Sequence, residues 1–312
     1  MKWRWLFVDF FGVFVLLSGC SLVLGIQDGK AQPAPVDGST FPAVDAADAA
    51  VGTVAWRGTS LSAGKYHTCA RKDDKTLWCW GSNRRGQLGP ETSTDQHSPI
   101  RVDPRILWAG VSTGGAHTCA PEIEGKLRCW GRNDYGQLGD GTTDSRSWLG
   151  QVHEGTDWAQ VSTGYSHTCG RETNGTLGCW GSNDYGQLGN GTDVDSYSPV
   201  QVGVDIDWAQ VSAGEYHTCG RGTNGTLWCW GSNSDGRLGQ GINPNQHSPV
   251  QVGTDRDWVQ VSAGSTHTCG RKANGTLWCW GSNDYGQLGN GADADIRQRS
   301  PVQVGTDRDW TE

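Results

Sequence analysis

The fold is written in residues 158–202, WAQVSTGYSHTCGRETNGTLGCWGSNDYGQLGNGTDVDSYSPVQV. The apolar segments here are short, alternate with polar residues and are bounded by Gly, Asn and Pro, which is how strands read. No sustained helical period of apolar residues appears, here or elsewhere outside the N-terminus. The same unit occurs five times. His-Thr-Cys stands at 67–69, 117–119, 167–169, 217–219 and 267–269, and Cys-Trp-Gly at 79–81, 129–131, 179–181, 229–231 and 279–281, a constant period of 50. Each unit opens on a tryptophan (Trp56, Trp108, Trp158, Trp208, Trp258). It runs through S-[AT]-G, His-Thr-Cys, a turn and L-x-C-W-G-x-N-x-x-G-[QR]-L-G, and closes on S-P-[VI]-[QR]-V. The second unit ends differently, in Ser147-Trp148-Leu149-Gly150-Gln151-Val152. Four short strands in about 50 residues, repeated, describe the blade of a propeller. The sequence therefore predicts an all-β chain, a β-propeller of five four-stranded blades.

In the third unit, Trp180-Gly181-Ser182-Asn183-Asp184-Tyr185-Gly186-Gln187-Leu188-Gly189 with its upstream Gly-x-x-His-Thr resembles the repeat of the regulator of chromosome condensation family. The resemblance recurs in register five times over residues 54–310. It implies a ring of four-stranded blades. It does not imply nucleotide exchange on a small GTPase, which belongs to one branch of that family. The family usually closes its ring with seven blades, whereas five full units stand here, with Asp309-Trp310-Thr311-Glu312 where a sixth would begin. A five-blade ring, a ring completed by a second chain and a truncated product are all compatible with the sequence.

Eleven cysteines are present: Cys20 and one C-x9-C pair in each unit. The pairs are Cys69 with Cys79, Cys119 with Cys129, Cys169 with Cys179, Cys219 with Cys229 and Cys269 with Cys279. Thr173-Asn174-Gly175 lies midway between one such pair. A three-residue hairpin loop with Gly in the left-handed position pairs 172 with 176 and sets Cys169 opposite Cys179. Directly opposed residues of a non-hydrogen-bonded pair are close enough for a bridge. Gly125, Gly225 and Gly275 repeat the loop glycine. The first unit has Asp73-Asp74-Lys75 instead, so its hairpin is expected to be the weakest. A zinc site from His67, Cys69 and Cys79, repeated in each blade, is the rival reading, but C-x9-C is not a zinc spacing. Five disulfides, no metal and no cofactor are expected.

The same register sets His67 opposite Gly81, which leaves room for the imidazole, and Thr68 opposite Trp80. A histidine at one position of every unit reads as a hydrogen-bonded part of the blade. Trp80, Trp130, Trp180, Trp230 and Trp280 alternate with Cys and so face the other side of the sheet, toward a neighbouring blade. Asn83, Asn133, Asn183, Asn233 and Asn283 precede a Gly-rich turn whose backbone groups an amide can satisfy. No nucleophile elbow, zinc-protease helix, phosphate loop or dinucleotide fingerprint occurs. Asp193 with Asp195 and similar pairs lack the spacing of a calcium loop. A non-enzymatic chain is expected.

Of 312 residues 47 are Gly and 17 Trp, with a net charge of −8 and mean hydropathy of −0.56. Gly falls at no every-third spacing, which excludes collagen. An acidic chain without a basic run is a poor ligand for a phosphate backbone, which argues against nucleic acid. At the N-terminus Lys2 and Arg4 precede an apolar run from Trp5 to Leu17. Leu17-Ser18-Gly19-Cys20 resembles the bacterial lipoprotein processing box. The resemblance implies a signal peptide over 1–19, lipid on Cys20 and, with Ser21 following, the outer membrane of a bacterial envelope. Residues 20–53, rich in Pro, Ala, Gly and Asp after the first few, read as a tether, and 54–312 as the repeat domain.

Between near-identical units, positions that vary are free for recognition. Two pairs vary. Before His-Thr-Cys stand Lys65-Tyr66, Gly115-Ala116, Tyr165-Ser166, Glu215-Tyr216 and Ser265-Thr266. After Gly-x-Asn stand Arg84-Arg85, Asp134-Tyr135, Asp184-Tyr185, Ser234-Asp235 and Asp284-Tyr285. Loops on a rigid scaffold concentrate binding residues, and exposed Tyr suits general recognition. Tyr66, Tyr165, Tyr216, Tyr135, Tyr185, Tyr285, Arg84 and Arg85 are thus the candidate partner-binding residues of a protein-interaction scaffold. A lectin-like binder of cell-wall polysaccharide is the alternative, and a hydrolase or a GTPase exchange factor the less favoured ones.

Overall fold

A computed structural model describes residues 60–153, 157–241, 244–291 and 297–311. The signal peptide, Cys20, the tether and Trp56 lie outside the described residues. Among the described residues no helix forms, and the strands build five separate four-stranded antiparallel sheets. Blade 1 holds Leu61–Ala63, His67–Arg71, Leu77–Gly81 and Gln96–Val102. Blade 2 holds Ser112–Thr113, His117–Pro121, Leu127–Gly131 and Arg146–Gln151. Blade 3 follows with Trp158–Thr163, His167–Glu172, Leu177–Gly181 and Ser196–Val202, and blade 4 with Trp208–Ala213, His217–Gly222, Leu227–Gly231 and Gln246–Gln251. Blade 5 is Trp258–Ala263, His267–Lys272, Leu277–Gly281 and Gln298–Gln303. In every sheet the strands lie in chain order.

The central hairpin has the predicted register. His167 lies opposite Gly181, Thr168 opposite Trp180 and Cys169 opposite Cys179, and the other four blades repeat this pairing. Gly175 closes the loop at φ +91°, with its N–H on the Glu172 carbonyl at 3.1 Å. In blade 1 Lys75 takes the same place at φ +66°, a conformation an L side chain adopts at a cost of roughly 1–2 kcal/mol.

Each cysteine pair forms a disulfide across its own hairpin. Cys69 is bonded to Cys79, Cys119 to Cys129, Cys169 to Cys179, Cys219 to Cys229 and Cys269 to Cys279, with Cα–Cα distances of 4.1–4.2 Å. The zinc reading fails on this bonding, because a sulfur in a disulfide has no thiolate to offer a metal. Four of the five bridges are buried at both cysteines, and only Cys269 of the last blade is partly exposed. Cys129, Cys229 and Cys279 on the third strands are buried, as are Cys79 and Cys179, so they brace the blade from within. The fourth strand shifts register between Cys179 and Gly181, skipping the tryptophan between them. The same shift follows Cys79, Cys129, Cys229 and Cys279.

The core lies between blades. The Cys169, Leu177, Cys179, Leu188 and Val202 side of blade 3 packs on Trp208, Val211 and Trp230 of blade 4. Equivalent residues join blades 1 and 2, 2 and 3, and 4 and 5. Trp130, Trp180, Trp230 and Trp280 are fully buried, as their alternation with Cys predicted. Each is tilted against the opening tryptophan of its own unit at 5.5–6.0 Å. Trp80 is only half-buried, and among the described residues no blade precedes it. The inner strands of all five blades line one central cavity of about 430 Å³. Among the described residues no strand of blade 5 joins the sheet of blade 1.

Candidate functional site

The residues that look chemical are absorbed by the joints between blades. The backbone carbonyl of Gln137 in blade 2 accepts hydrogen bonds from Thr168 Oγ1 at 2.8 Å and Trp180 Nε1 at 3.0 Å, both from blade 3. A hydroxyl has one proton, and that of Thr168 points at this carbonyl. The His117 Nε2 atom, 2.9 Å from Thr168 Oγ1, must therefore carry its own proton and donate it. The imidazole is thus the neutral Nε2–H tautomer, with Nδ1 buried and without a hydrogen-bond partner. His67–Thr118–Gln87, His167–Thr218–Gln187 and His217–Thr268–Arg237 repeat the chain of bonds. Burial pushes the pKa down to about 4 at His67 and His167 and to about 3 at His117, and well below the usual value at His217.

The room for the His67 imidazole does not come from Gly81, although the two lie opposite each other. The glycine beside the His67 ring is Gly64, where an added Cβ would meet Cε1 at 3.1 Å. Gly81 is required for a different reason: its φ is +110°, and a Cβ there would stand 2.6 Å from the Tyr66 carbonyl oxygen.

The rest of the repeat motif is scaffolding for a turn. The Leu138 N–H donates to Asn133 Oδ1 at 2.9 Å, and the Asn133 amide donates to the Thr142 carbonyl at 3.0 Å. Gly139, at φ +74°, leaves the space that the Trp180 indole of the next blade fills. All five asparagines hold their turns through the same bond to the leucine.

The variable positions form a rim above these joints. The second and third strands of a blade are antiparallel, so the residues before His-Thr-Cys and those after Cys-Trp-Gly share one end of the sheet. The Ser82 N–H donates to the Tyr66 carbonyl at 2.8 Å and holds the two loops together. Tyr66, Arg84, Arg85 and Gln87 of blade 1, Arg132 of blade 2 and Tyr165 of blade 3 line one cavity of about 480 Å³. Tyr165 reaches it by lying over Gly115, where any Cβ would stand 2.6 Å from its ring. The Lys65 ammonium sits 4.5 Å from the Tyr165 ring centre and 5.6 Å from that of Tyr66, within cation–π range. Aromatic contact continues from Tyr165 to Tyr216 at 6.0 Å and from Tyr216 to Tyr185 at 5.2 Å. Partial burial and the neighbouring Glu215 raise the Tyr216 hydroxyl pKa.

Arg132 donates to Asp134 at 2.8 Å, and this bond holds the Asp134 carboxyl below its usual range. Arg85 stands 3.9 Å from Asp134, and Arg84 stands 4.0 Å from Asp95. Tyr135 lies 5.3 Å from the Arg132 guanidinium. Tyr285 stands apart, 93% exposed. Seven of the eight candidate residues thus belong to one connected surface, and Tyr285 does not. Lys65 and Arg132 were missed as candidates. Arg132 was visible in the sequence, because the middle residue of Gly-x-Asn is Ser in the other four units. Among the described residues no group of three or more His, Cys, Asp or Glu is arranged to hold a metal.

The model of the RCC1-like domain matches residues 18–311. Among solved structures, human WBSCR16 superposes with a TM-score of 0.70 at 23% identity, covering 79% of this chain and 66% of that one. Yeast RCC1 (Prp20) bound to Kap60 gives 0.54 at 17% identity over 79% and 74%. Prp20p from Saccharomyces cerevisiae, described with its binding properties to Gsp1p and histones, gives 0.53 at 18% identity over 79% and 76%. At these identities the likeness is one of fold. No curated protein matches the chain significantly.

Proposed function

The chain belongs to the RCC1-like domain family, and from that premise we propose that it is a non-catalytic interaction scaffold that captures a partner protein on its Tyr-rich rim. The observation that carries this reading is the division of the repeat. His, Thr, Cys and Trp recur in every unit; in most they are buried within a blade or bonded to the next, whereas Tyr66, Tyr165, Tyr185 and Tyr216 vary between units and reach the surface. An enzyme on this fold would need unlike reactive groups converging from different blades. Four of the five repeated histidines instead face threonine hydroxyls and are held neutral. The yeast protein of similar fold, Prp20, is described with protein partners in both of its structures, which supports protein as the partner class.

Five disulfides fit an oxidising compartment outside the cytoplasm. With the lipoprotein box at Leu17–Cys20, we place the domain in a bacterial envelope, tethered by lipid on Cys20. Cys20→Ala should abolish lipid labelling, and unchanged membrane partitioning would remove the anchor from the proposal.

Cross-linking in intact cells followed by pull-down identifies the partner. Combined Tyr66→Ala, Tyr165→Ala and Tyr216→Ala should weaken capture, since truncating aromatic anchors commonly costs more than about 1 kcal/mol each. Capture by the folded triple variant at parental strength would refute the rim as the binding face. Retention on a polysaccharide column without any cross-linked protein would favour the lectin reading instead.

A further inference from the structure

The rim is not uniform in charge, and the repeat supplies its own control. Arg84 and Arg85 occupy positions that hold Asp134-Tyr135, Asp184-Tyr185, Ser234-Asp235 and Asp284-Tyr285 in the later units. Where blade 1 has Lys65, the others have Gly115, Tyr165, Glu215 and Ser265, and Arg132 replaces a serine. All four of these cations meet at the cavity between blades 1 and 2 or at its edge, where the carboxylates Asp95 and Asp134 face them. A chain of net charge −8 thus concentrates positive charge at one corner.

We propose that the cavity between blades 1 and 2 is a binding site for a short acidic peptide segment, with Arg84 and Arg85 taking its carboxylates and Tyr66 and Tyr165 its side-chain bodies. The proposal rests on the interaction-scaffold reading and specifies the chemistry of its partner. The side chains of Arg84 and Arg85 are 86% and 51% exposed, and their contacts with Asp95 and Asp134 are 4.0 and 3.9 Å long. Exposed pairs of that length contribute little, so both guanidinium forks are open to bidentate contact with an incoming carboxylate. Arg132, held by Asp134 at 2.8 Å, fixes the floor. The two tyrosines, with Lys65 over both rings, offer rigid walls that are apolar on the face and polar at the tip. A volume of about 480 Å³ admits a few side chains and no more. The occupant is short rather than a long polyanion, because Asp184, Glu215 and Asp284 occupy the corresponding loops of the other blades and repel one, whereas Asp235 is paired with Arg237 and Arg297.

The test is fluorescence polarisation with the oxidised full-length protein. The probe is a short fluorescein-labelled peptide of Glu, Tyr and Gly. Its counterpart has Gln for every Glu, and an oligogalacturonate serves as competitor. The acidic peptide should bind at least about tenfold more tightly than the Gln peptide, and salt should weaken it. Arg84→Gln with Arg85→Gln should lose about tenfold, and Arg256→Gln, at the opposite end of blade 4, should lose nothing. Equal binding of the two peptides, no binding of either, unchanged binding by the double arginine variant, or tighter binding of the galacturonate would each overturn the proposal. If that double variant still captures the cross-linked partner while the triple tyrosine variant does not, the scaffold reading stands and the acidic ligand falls. If both variants capture it, both readings fall.

Discussion

Acidifying the protein from pH 7.5 to pH 5 should loosen the joints between blades. His67, His117 and His167 have native pKa values of about 4, 3 and 4 because burial opposes their charge. In the unfolded chain each returns to about 6.5. Above that value the rings are neutral in both states and contribute no pH dependence. Below it the unfolded chain binds protons that the native protein does not, so stability falls with pH. The slope is about 1.4 kcal/mol per pH unit for each ring. At pH 5 that is about 2 kcal/mol per histidine and roughly 6 kcal/mol for the three, within the range of about 5–15 kcal/mol for a whole domain. The loss flattens near pH 4 for His67 and His167 and near pH 3 for His117, where the native rings protonate and their threonine bonds adjust. Asp103 and Asp134, whose pKa values lie below the ordinary carboxylate range, withdraw their support only at lower pH still. Urea titrations followed by tryptophan fluorescence on the oxidised protein at pH 7.5, 6.5, 5.5 and 5 measure the effect. A midpoint independent of pH across that series, or native imidazoles that titrate near 6.5 by NMR, would refute the buried neutral assignment.

Three further outcomes follow from the same joints. Thr218→Val keeps the shape but strands the His167 Nε2–H, and should cost about 1–3 kcal/mol by thermal or urea unfolding. Gly189→Ala and Gly291→Ala both place a side chain at φ +71°, but only the first meets a wall, the Trp230 indole at 2.6 Å. Both should lose about 1–2 kcal/mol to the backbone, and Gly189→Ala a further 1–3 kcal/mol or so to overpacking; equal midpoints would contradict the packing described. Removing one bridge by Cys169→Ala with Cys179→Ala should lower stability by at most about 3 kcal/mol, given the short loop, and leave the other four disulfides intact by mass spectrometry of alkylated protein.

Within a blade almost everything was legible in the sequence, because strand pairing is local. A three-residue loop around Gly175 fixes the register, the register sets Cys169 against Cys179, and alternation then sends Trp180 to the other face. The same local rule placed Cys129, Cys229 and Cys279 opposite their partners in the other hairpins. Between blades legibility fell away. The imidazole of His117 was expected to be hydrogen-bonded, but its partner Thr168 lies 51 residues on, in another sheet. Only the angle at which blades stack brings the two together. The same holds for the rim. Tyr66 was chosen from the variable pair before His-Thr-Cys, and Arg84 and Arg85 from the one after Gly-x-Asn. Their meeting with Arg132 and with Tyr165, which crosses over Gly115, depends on the absence of a side chain at a single glycine of the intervening blade.

Why variation collects on the rim has a physical answer in the bonds themselves. A repeated residue inside the joint serves two blades at once. Thr168 donates to the Gln137 carbonyl and accepts from His117, so replacing it strands buried groups of the preceding blade, whereas Gln137 offers only its main chain here and Arg237 takes its place in blade 4. On the rim the required bonds are made by the backbone. The Arg132 N–H donates to the Ala116 carbonyl at 2.9 Å, as the Ser182 N–H donates to that of Ser166 at 2.9 Å. This main-chain bond forms whether serine or arginine projects from the position, although the Ser182 hydroxyl also accepts from Gln187 Nε2 at 3.1 Å and Arg132 leaves the buried Gln137 Nε2 without that acceptor. Arg84, where the last three units carry Asp184, Ser234 and Asp284, has the same freedom. A propeller of nearly identical blades can in this way hold its interior constant and place its distinctions, the basic corner among them, on a single surface.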